Sequence, residues 1–159
     1  MSEPNFKLLD HFTNPRNVGS IENADGFGSA KNPINGYQTD IYIKVEDGQI
    51  KDIKFKTFGC TVTIATTSAL TEAVKGKSLT DLIDGDNPIE NLMNLIEEIL
   101  GPIPEKNWHC SPTAVQTLLS AIHDFYKKNK ETDKACLLEK LQEDVDNYFE
   151  KYMKNIIEE

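Results

Sequence analysis

The spacing of apolar residues at the start of the chain predicts a short helix. Phe6, Leu8, Leu9 and Phe12 fall on one face at helical intervals, which is typical of an element that packs on a core. Asn14-Pro15 ends this helix, because the residue before a proline avoids helical backbone angles. A loop rich in glycine and asparagine follows.

The pattern then changes to strict alternation, which predicts strands. Apolar residues alternate with polar ones from Thr39 to Val45 and again from Ile53 to Thr57. Asp47-Gly48 lies between the two runs and has the composition of a tight turn. We therefore predict an antiparallel hairpin with one face in the core and one face in solvent.

Helical spacing returns after residue 60 and continues to the end of the chain. Helices are predicted at Thr61–Val74, Ser78–Ile83 and Ile89–Leu100, separated by turn residues. Ser111 and Pro112 predict the N-cap and first residue of a further helix, which should lie in the core. The predicted order of elements is a helix, then strands, then further helices around one compact core.

Residues 129–159 form a separate segment in which acidic residues outnumber lysines. Apolar residues still repeat at intervals of three and four, which predicts an added C-terminal helix with an apolar seam: Leu138, Leu141, Val145, Tyr148 and Tyr152. Two partners for this seam are open. It can dock on its own domain, or it can pair with another chain as a short coiled coil.

Composition and charge exclude several classes of protein. The chain has 159 residues and a formal net charge of −9, so most of its surface should repel nucleic acid. Its single arginine, Arg16, cannot form a cluster for phosphate recognition. Neither a leader peptide nor a membrane-spanning run is seen, and we expect a cytoplasmic protein.

Three cysteines are the candidates for chemistry. In a reducing compartment an odd number of cysteines without CxxC spacing does not form a disulfide framework. Cys60 and Cys110 each stand where a helix is predicted to begin, so amide groups and a helix dipole should favour thiolate at both. With His109 they offer ligands suited to zinc, ferrous iron or an iron-sulfur cluster. An inert structural role is the alternative.

Other candidates have plainer interpretations. Cys136 lies beside two leucines and is predicted to be buried and inert. His11 and His123 fit helix faces and need no metal. A thiol hydrolase pairing of Cys60 or Cys110 with His109 lacks a third orienting group. Residues 84–87 resemble a calcium loop in composition only, and a solvated turn explains them.

Four segments, taken together, resemble a known family. They are Asp10–Gly19 (DHFTNPRNVG), Phe55–Cys60 (FKTFGC), Lys75–Leu79 (KGKSL) and His109–Ser111 (HCS). In this order they resemble the iron-sulfur cluster assembly scaffold proteins of the IscU/NifU N-terminal type. The resemblance covers residues 6–128 and leaves the C-terminal helix outside.

The resemblance implies a fold and a function. It implies an α+β domain over residues 1–128, in which helices cover a small antiparallel sheet of about three strands, followed by a C-terminal helical extension over residues 129–159. It also implies a scaffold, rather than an enzyme, that receives sulfur from a cysteine desulfurase, holds a transient cluster and passes it to apo iron-sulfur acceptor proteins. Cys60 and Cys110 correspond to two of the three family cysteines, and His109 to the histidine beside the last one.

The chain departs from this family at three places. Asn35 stands where the first cysteine belongs, and Tyr37 stands where the nearby aspartate belongs. Asp40 could replace the aspartate only if its strand were displaced. The segment Ile103–Asn107 (IPEKN) replaces a Leu-Pro-Pro-Val-Lys stretch that a chaperone recognises, so docking of that chaperone is doubtful.

These departures limit the ligand set. Cys60, Cys110 and His109 give at most three ligands per chain, whereas a structural zinc or a [2Fe-2S] cluster needs four. A water or substrate, a homodimer that shares a cluster, or the absence of any metal would each account for this. The alternatives to a scaffold are a zinc-binding form and a divergent member that binds a desulfurase without assembling a cluster.

Overall fold

A computed structural model describes the backbone of residues 5–158 and the side chains of residues 5–155. A three-stranded antiparallel sheet has the strand order β1-β2-β3, with β1 at Gly26–Lys31, β2 at Gln38–Glu46 and β3 at Gln49–Thr57. The helices are α1 (Phe6–Thr13), α2 (Thr61–Val74), α3 (Leu79–Ile83), α4 (Pro88–Leu100), α5 (Cys110–Lys128) and α6 (Thr132–Glu158), with a 3₁₀ turn at Glu105–Asn107. The predicted α+β class is confirmed.

The hairpin of β2 and β3 follows the sequence pattern. Asp47 and Gly48 form its two-residue turn with positive φ angles of 53° and 74°, as the twist of a tight hairpin requires. Ile41, Ile43 and Phe55 point into the core and are fully buried. The alternate positions of the same strands, lysines among them, lie on the outer face of the sheet, so its predicted solvated face is confirmed.

Strand β1 lies inside the segment that the sequence pattern assigns to a loop. Gly26 and Gly28 have no side chains, so the strand shows no alternation in the sequence. Glycine is found at these positions because β1 packs directly on α5. A Cβ atom on Gly28 would lie 2.5 Å from the carbonyl oxygen of Thr117 and 2.8 Å from the carbonyl carbon of Ser120. Only glycine permits this approach, which brings the β1–β2 loop to the beginning of α5.

Helices α2 and α5 pack between the sheet and the other helices. Five of the buried residues of α2 are threonines or serine, which an apolar environment would disfavour if their hydroxyl groups were unpaired. Thr66 and Thr67 both donate to the carbonyl of Thr63, and Thr71 donates to that of Ser68. These bonds allow a helix rich in threonine to be buried on nearly every side.

The N-terminal helix differs from the prediction in which residues it buries. Leu8 and His11 are buried, whereas Phe6 is 75% exposed and Leu9 is 43% exposed. His11 Nδ1 lies 2.8 Å from the hydroxyl of Ser68 on α2. A buried histidine therefore occupies the position on the inner face that the apolar pattern assigned to phenylalanine and leucine.

Helix α6 docks on α5 of its own chain, which is the first of the two predicted alternatives. Its seam is buried at Leu138, Leu141, Val145 and Phe149. The prediction that Cys136 is buried is wrong. Ala135 and Leu138 take the inward positions of this turn, so Cys136 faces solvent. Over the part of the chain that the structure describes, none of the helices has the length and apolarity needed to span a membrane.

Candidate functional site

The two thiols of the predicted site start two different helices. Cys60 is the N-cap of α2, directly after the loop that leaves β3, and Cys110 is the first residue of α5. Helix α5 begins earlier than predicted, because His109 and not Ser111 precedes its first turn. Ser111 is therefore a helical residue, and its predicted role as an N-cap is wrong.

A single hydroxyl group joins the two thiols. Thr63 Oγ1 lies 3.4 Å from the sulfur of Cys60 and 3.4 Å from the sulfur of Cys110. The sulfurs are thus separated by no more than these two contacts together, although 49 residues lie between them in the chain. The predicted convergence of Cys60 and Cys110 is observed, with a threonine between them.

The pKa values of the two thiols are shifted in opposite directions. Burial acts to raise the pKa of Cys60, but hydrogen bonding by the Thr63 hydroxyl and by the backbone amides of Thr63 and Val62 outweighs it, and the net pKa is lowered. Burial raises the pKa of Cys110 to about 12, against a smaller lowering effect of Thr63. The expectation that both helix beginnings favour thiolate is therefore wrong at Cys110.

The difference in pKa arises from how deeply each sulfur is buried. Cys60 is exposed at the mouth of the site, where its thiolate meets both helix amides and water. Cys110 is only 1% exposed, and a charge there would lose its hydration without a cationic partner. The site therefore presents one nucleophilic sulfur at the surface and one protonated sulfur behind it.

His109 is held by a hydrogen bond that fixes its tautomer. Asn32, in the β1–β2 loop, has its Nδ2 atom 2.7 Å from Nδ1 of His109. The Oδ1 atom of Asn32 accepts from the backbone N–H of Ile34 at 2.9 Å, so the amide cannot be reversed without losing that bond. Nδ1 of His109 is therefore an acceptor, and the neutral ring carries its hydrogen on Nε2. Burial lowers the pKa of His109 and favours this neutral form.

The three predicted site residues lie close together. His109 Nδ1 is 3.8 Å from the sulfur of Cys110, and Cys110 shares Thr63 with Cys60. Within residues 5–155, no three or more His, Cys, Asp and Glu side chains are grouped so as to hold a metal ion. The roles of Cys60, Cys110 and His109 as ligands remain predictions.

The positions that depart from the family pattern make local contacts. Asn35 accepts a hydrogen bond from the backbone N–H of Tyr37 at 3.0 Å, which is the turn chemistry predicted for Asn35-Gly36. Asp40 lies on the outer face of the sheet and accepts from Ser29 and Gln38. The register of β2 on β3 is regular there, so Asp40 does not replace the family aspartate.

Thr63 and Asn32 were not predicted from the sequence. Thr63 stands three residues after Cys60, which is the N-cap to N3 spacing of helix caps and could have identified it. Asn32 has no such signal. It meets His109 across 77 residues of chain, through the packing of β1 on α5.

Alkylation should separate the three cysteines. At pH 8 we expect iodoacetamide to modify Cys60 first, because its pKa is lowered and its sulfur is exposed. With a pKa of about 12, Cys110 has about one thiolate in ten thousand at that pH and should react last. Peptide mass spectrometry of quenched time points measures the order, with Cys136 as the exposed reference. Equal alkylation rates at Cys60 and Cys110 in the folded protein would contradict this prediction. Equal rates in urea would not, because the unfolded chain exposes both thiols.

Comparison with known proteins identifies similar chains. The family model described as the NifU-like N terminal domain matches residues 4–132. The iron-sulfur cluster assembly scaffold protein IscU 1 of Archaeoglobus fulgidus is 46% identical over 128 residues, covering 80% of each chain. The scaffold protein IscU of Aquifex aeolicus is 43% identical over 139 residues, covering 84% of this chain and 82% of its own.

Solved structures agree on the fold. The N-terminal part of a NifU-like protein from Brucella abortus superposes with a TM-score of 0.61 at 18% identity, covering 78% of this chain and 94% of that one. A putative scaffold protein for the SUF system from Fervidobacterium islandicum has a TM-score of 0.54 at 22% identity, covering 76% and 95%. Helix α6 falls almost wholly after the residues that the family model matches.

Proposed function

Because this chain belongs to the family of NifU-like N-terminal domains, we propose that it is a scaffold on which an iron-sulfur cluster is assembled. The observation that carries the proposal is the pair of sulfurs, Cys60 and Cys110, brought to one threonine hydroxyl from two remote segments. The names of the similar chains from Archaeoglobus and Aquifex support the scaffold over a member that only binds partners.

Cys60 is the group that receives sulfur. Its exposed thiolate attacks the outer sulfur of a persulfide on a donor protein, forming a new S–S bond on Cys60 while the donor's S–S bond breaks and its cysteine leaves as a thiolate. No net oxidation occurs, because the sulfur is exchanged between two thiols. A cysteine desulfurase is the proposed donor, since this class of enzyme carries such a persulfide.

Cys110 is the second ligand and enters the reaction later. Its buried thiol stays protonated at neutral pH and becomes a ligand when an iron ion displaces the proton. Cys110 therefore does not compete with Cys60 for incoming sulfur. His109 lies beside it as an auxiliary ligand or proton carrier, and as a ligand through Nδ1 it would first have to exchange its hydrogen bond with Asn32.

The cluster is cargo rather than a permanent part of the protein. A [2Fe-2S] cluster takes four protein ligands, and one chain supplies two thiolates. We propose that two chains share one cluster, each through Cys60 and Cys110, before it passes to an acceptor protein. The exposed position of Cys60 favours such sharing and also favours release.

Native mass spectrometry without oxygen tests this function. After incubation with ferric iron and sulfide, we expect a species of two chains that carries a [2Fe-2S] cluster, together with visible absorption. The apo protein incubated with zinc is the reference for metal bound without sulfide. A chain that takes up zinc but never iron and sulfide together would contradict the scaffold function.

A further inference from the structure

A cavity lies between α4, the 3₁₀ turn, the first turn of α5 and α6, and Cys60, His109 and Cys110 are not among its lining residues. It is a groove of about 670 Å³, a size that fits a small organic ligand. Its walls combine acidic and aromatic side chains: Glu90, Glu97, Glu105, Trp108, Tyr148 and Tyr152. Trp108 stacks on Tyr152 with 4.1 Å between ring centroids, so one wall is a continuous aromatic surface.

The groove is strongly negative. No lysine or arginine is among its lining residues. Glu90, Glu97 and Glu105 take part in none of the ion pairs formed by residues 5–155. Burial raises the pKa of Tyr148, and Tyr152, Glu90 and Glu97 raise it further, which places both α4 carboxylates within electrostatic reach of the Tyr148 hydroxyl. The groove therefore favours a cationic ligand.

One buried polar atom of the groove lacks a partner. Ser111 lines the groove at the first turn of α5 and is 6% exposed. Its Oγ atom has no hydrogen-bond partner within the described part of the chain. A buried hydroxyl of this kind costs free energy unless a ligand or a water satisfies it. It is an observation independent of the carboxylates.

The arrangement of the carboxylates favours an organic cation over a metal ion. Glu90 and Glu97 are seven residues apart, which is about 10 Å along the axis of a helix. A divalent ion needs its oxygen ligands within about 2.6 Å, and the three carboxylates do not form a metal-holding group among residues 5–155. Separated charges with an aromatic wall suit ammonium groups joined by methylene chains.

We propose that this groove binds an aliphatic polyamine, with its ammonium groups at Glu90, Glu97 and Glu105, one of them donating to the Oγ atom of Ser111, and its methylene chain along Trp108 and Tyr152. The proposal does not rest on the proposed scaffold function, because Cys60, His109 and Cys110 do not line the groove. Helix α6, which the family model does not match beyond residue 132, supplies the tyrosines and thereby one wall.

The single tryptophan of the chain makes the test direct. Trp108 is the only tryptophan and lines the groove, so its emission reports occupancy. We expect spermidine to change the emission of the full chain saturably, with 1,4-diaminobutane weaker and butylamine weakest. Magnesium chloride at equal ionic strength should not reproduce the change, and added sodium chloride should weaken it.

Two variants locate the site. Glu97→Gln should weaken spermidine binding about threefold to tenfold, because it removes one charge-assisted contact. Glu98→Gln removes the same charge from the neighbouring residue, which does not line the groove, and should bind as the wild type does. Cys60→Ser should also bind normally, which separates this proposal from the scaffold function. Equal weakening by both glutamine variants, or no preference for spermidine over magnesium, would overturn the proposal.

Discussion

Replacing Cys60 by serine is expected to abolish cluster assembly. In anaerobic incubation with iron and sulfide, the wild type should develop visible absorption and the Cys60→Ser variant should remain colourless. Cys60 is the exposed thiol with the lowered pKa, so its loss removes both the nucleophile that accepts sulfur and the first iron ligand. A serine hydroxyl stays protonated at neutral pH and cannot replace the thiolate as a nucleophile or as an iron ligand.

Two further variants make this result specific. Cys136→Ser removes an exposed thiol on α6 and should leave the absorption intact. Cys110→Ser should lose the absorption while it still accepts sulfur at Cys60, because Cys110 acts only as a ligand. Persulfide on Cys60, formed in a separate incubation with a cysteine desulfurase and cysteine as the persulfide donor, is measured by mass spectrometry of the intact chain. Full absorption in Cys60→Ser would show that the two sulfurs are not the assembly site.

The largest effect on stability is expected at Gly28. In Gly28→Ala the added methyl group would overlap the backbone of Ala121, Thr117 and Ser120, and none of these backbone atoms can move without shifting α5. We expect the free energy of unfolding to fall by about 3 kcal/mol or more, as in other overpacked cores. Urea denaturation followed by circular dichroism measures the change through the midpoint at constant slope.

Gly76→Ala is the matched control for this variant. Gly76 has a φ of +87° and open space at its Cβ position, so alanine there meets backbone strain without overlap. A cost of about 1 kcal/mol is expected for that strain. If both alanine variants lost the same free energy, the close contact of β1 with α5 would not be the reason for glycine at position 28.

The sequence predicted elements where local pattern and tertiary packing agree. The β2–β3 hairpin and helix α2 follow alternation or helical spacing and end in turn residues, so their bounds came out close to the structure. Strand β1 was missed because Gly26 and Gly28 carry no side chain to show a pattern. Glycine is required at both positions because they lie against the backbone of α5, more than 85 residues further along the chain.

The candidate site was predictable in position but not in chemistry. Cys60 and Cys110 were placed at two helix beginnings from turn and cap residues, and they lie there. Their acid strengths diverge because burial depends on neighbours from the whole fold, and Cys110 is covered where Cys60 is not. Asn32 escaped prediction for the same reason, since its contact with His109 exists only after β1 packs on α5.

The hydroxyl of Thr63 also limits how many of the two thiols can be deprotonated at one time. It carries one hydrogen, and sulfurs lie at 3.4 Å on both sides of it, so it can serve one anion at a time. The groups that act on the two thiols, within residues 5–155, include no positive charge. The second thiol can therefore lose its proton only when a cation from solution binds. Each cation that binds at Cys60 and Cys110 should release a proton and acidify an unbuffered sample.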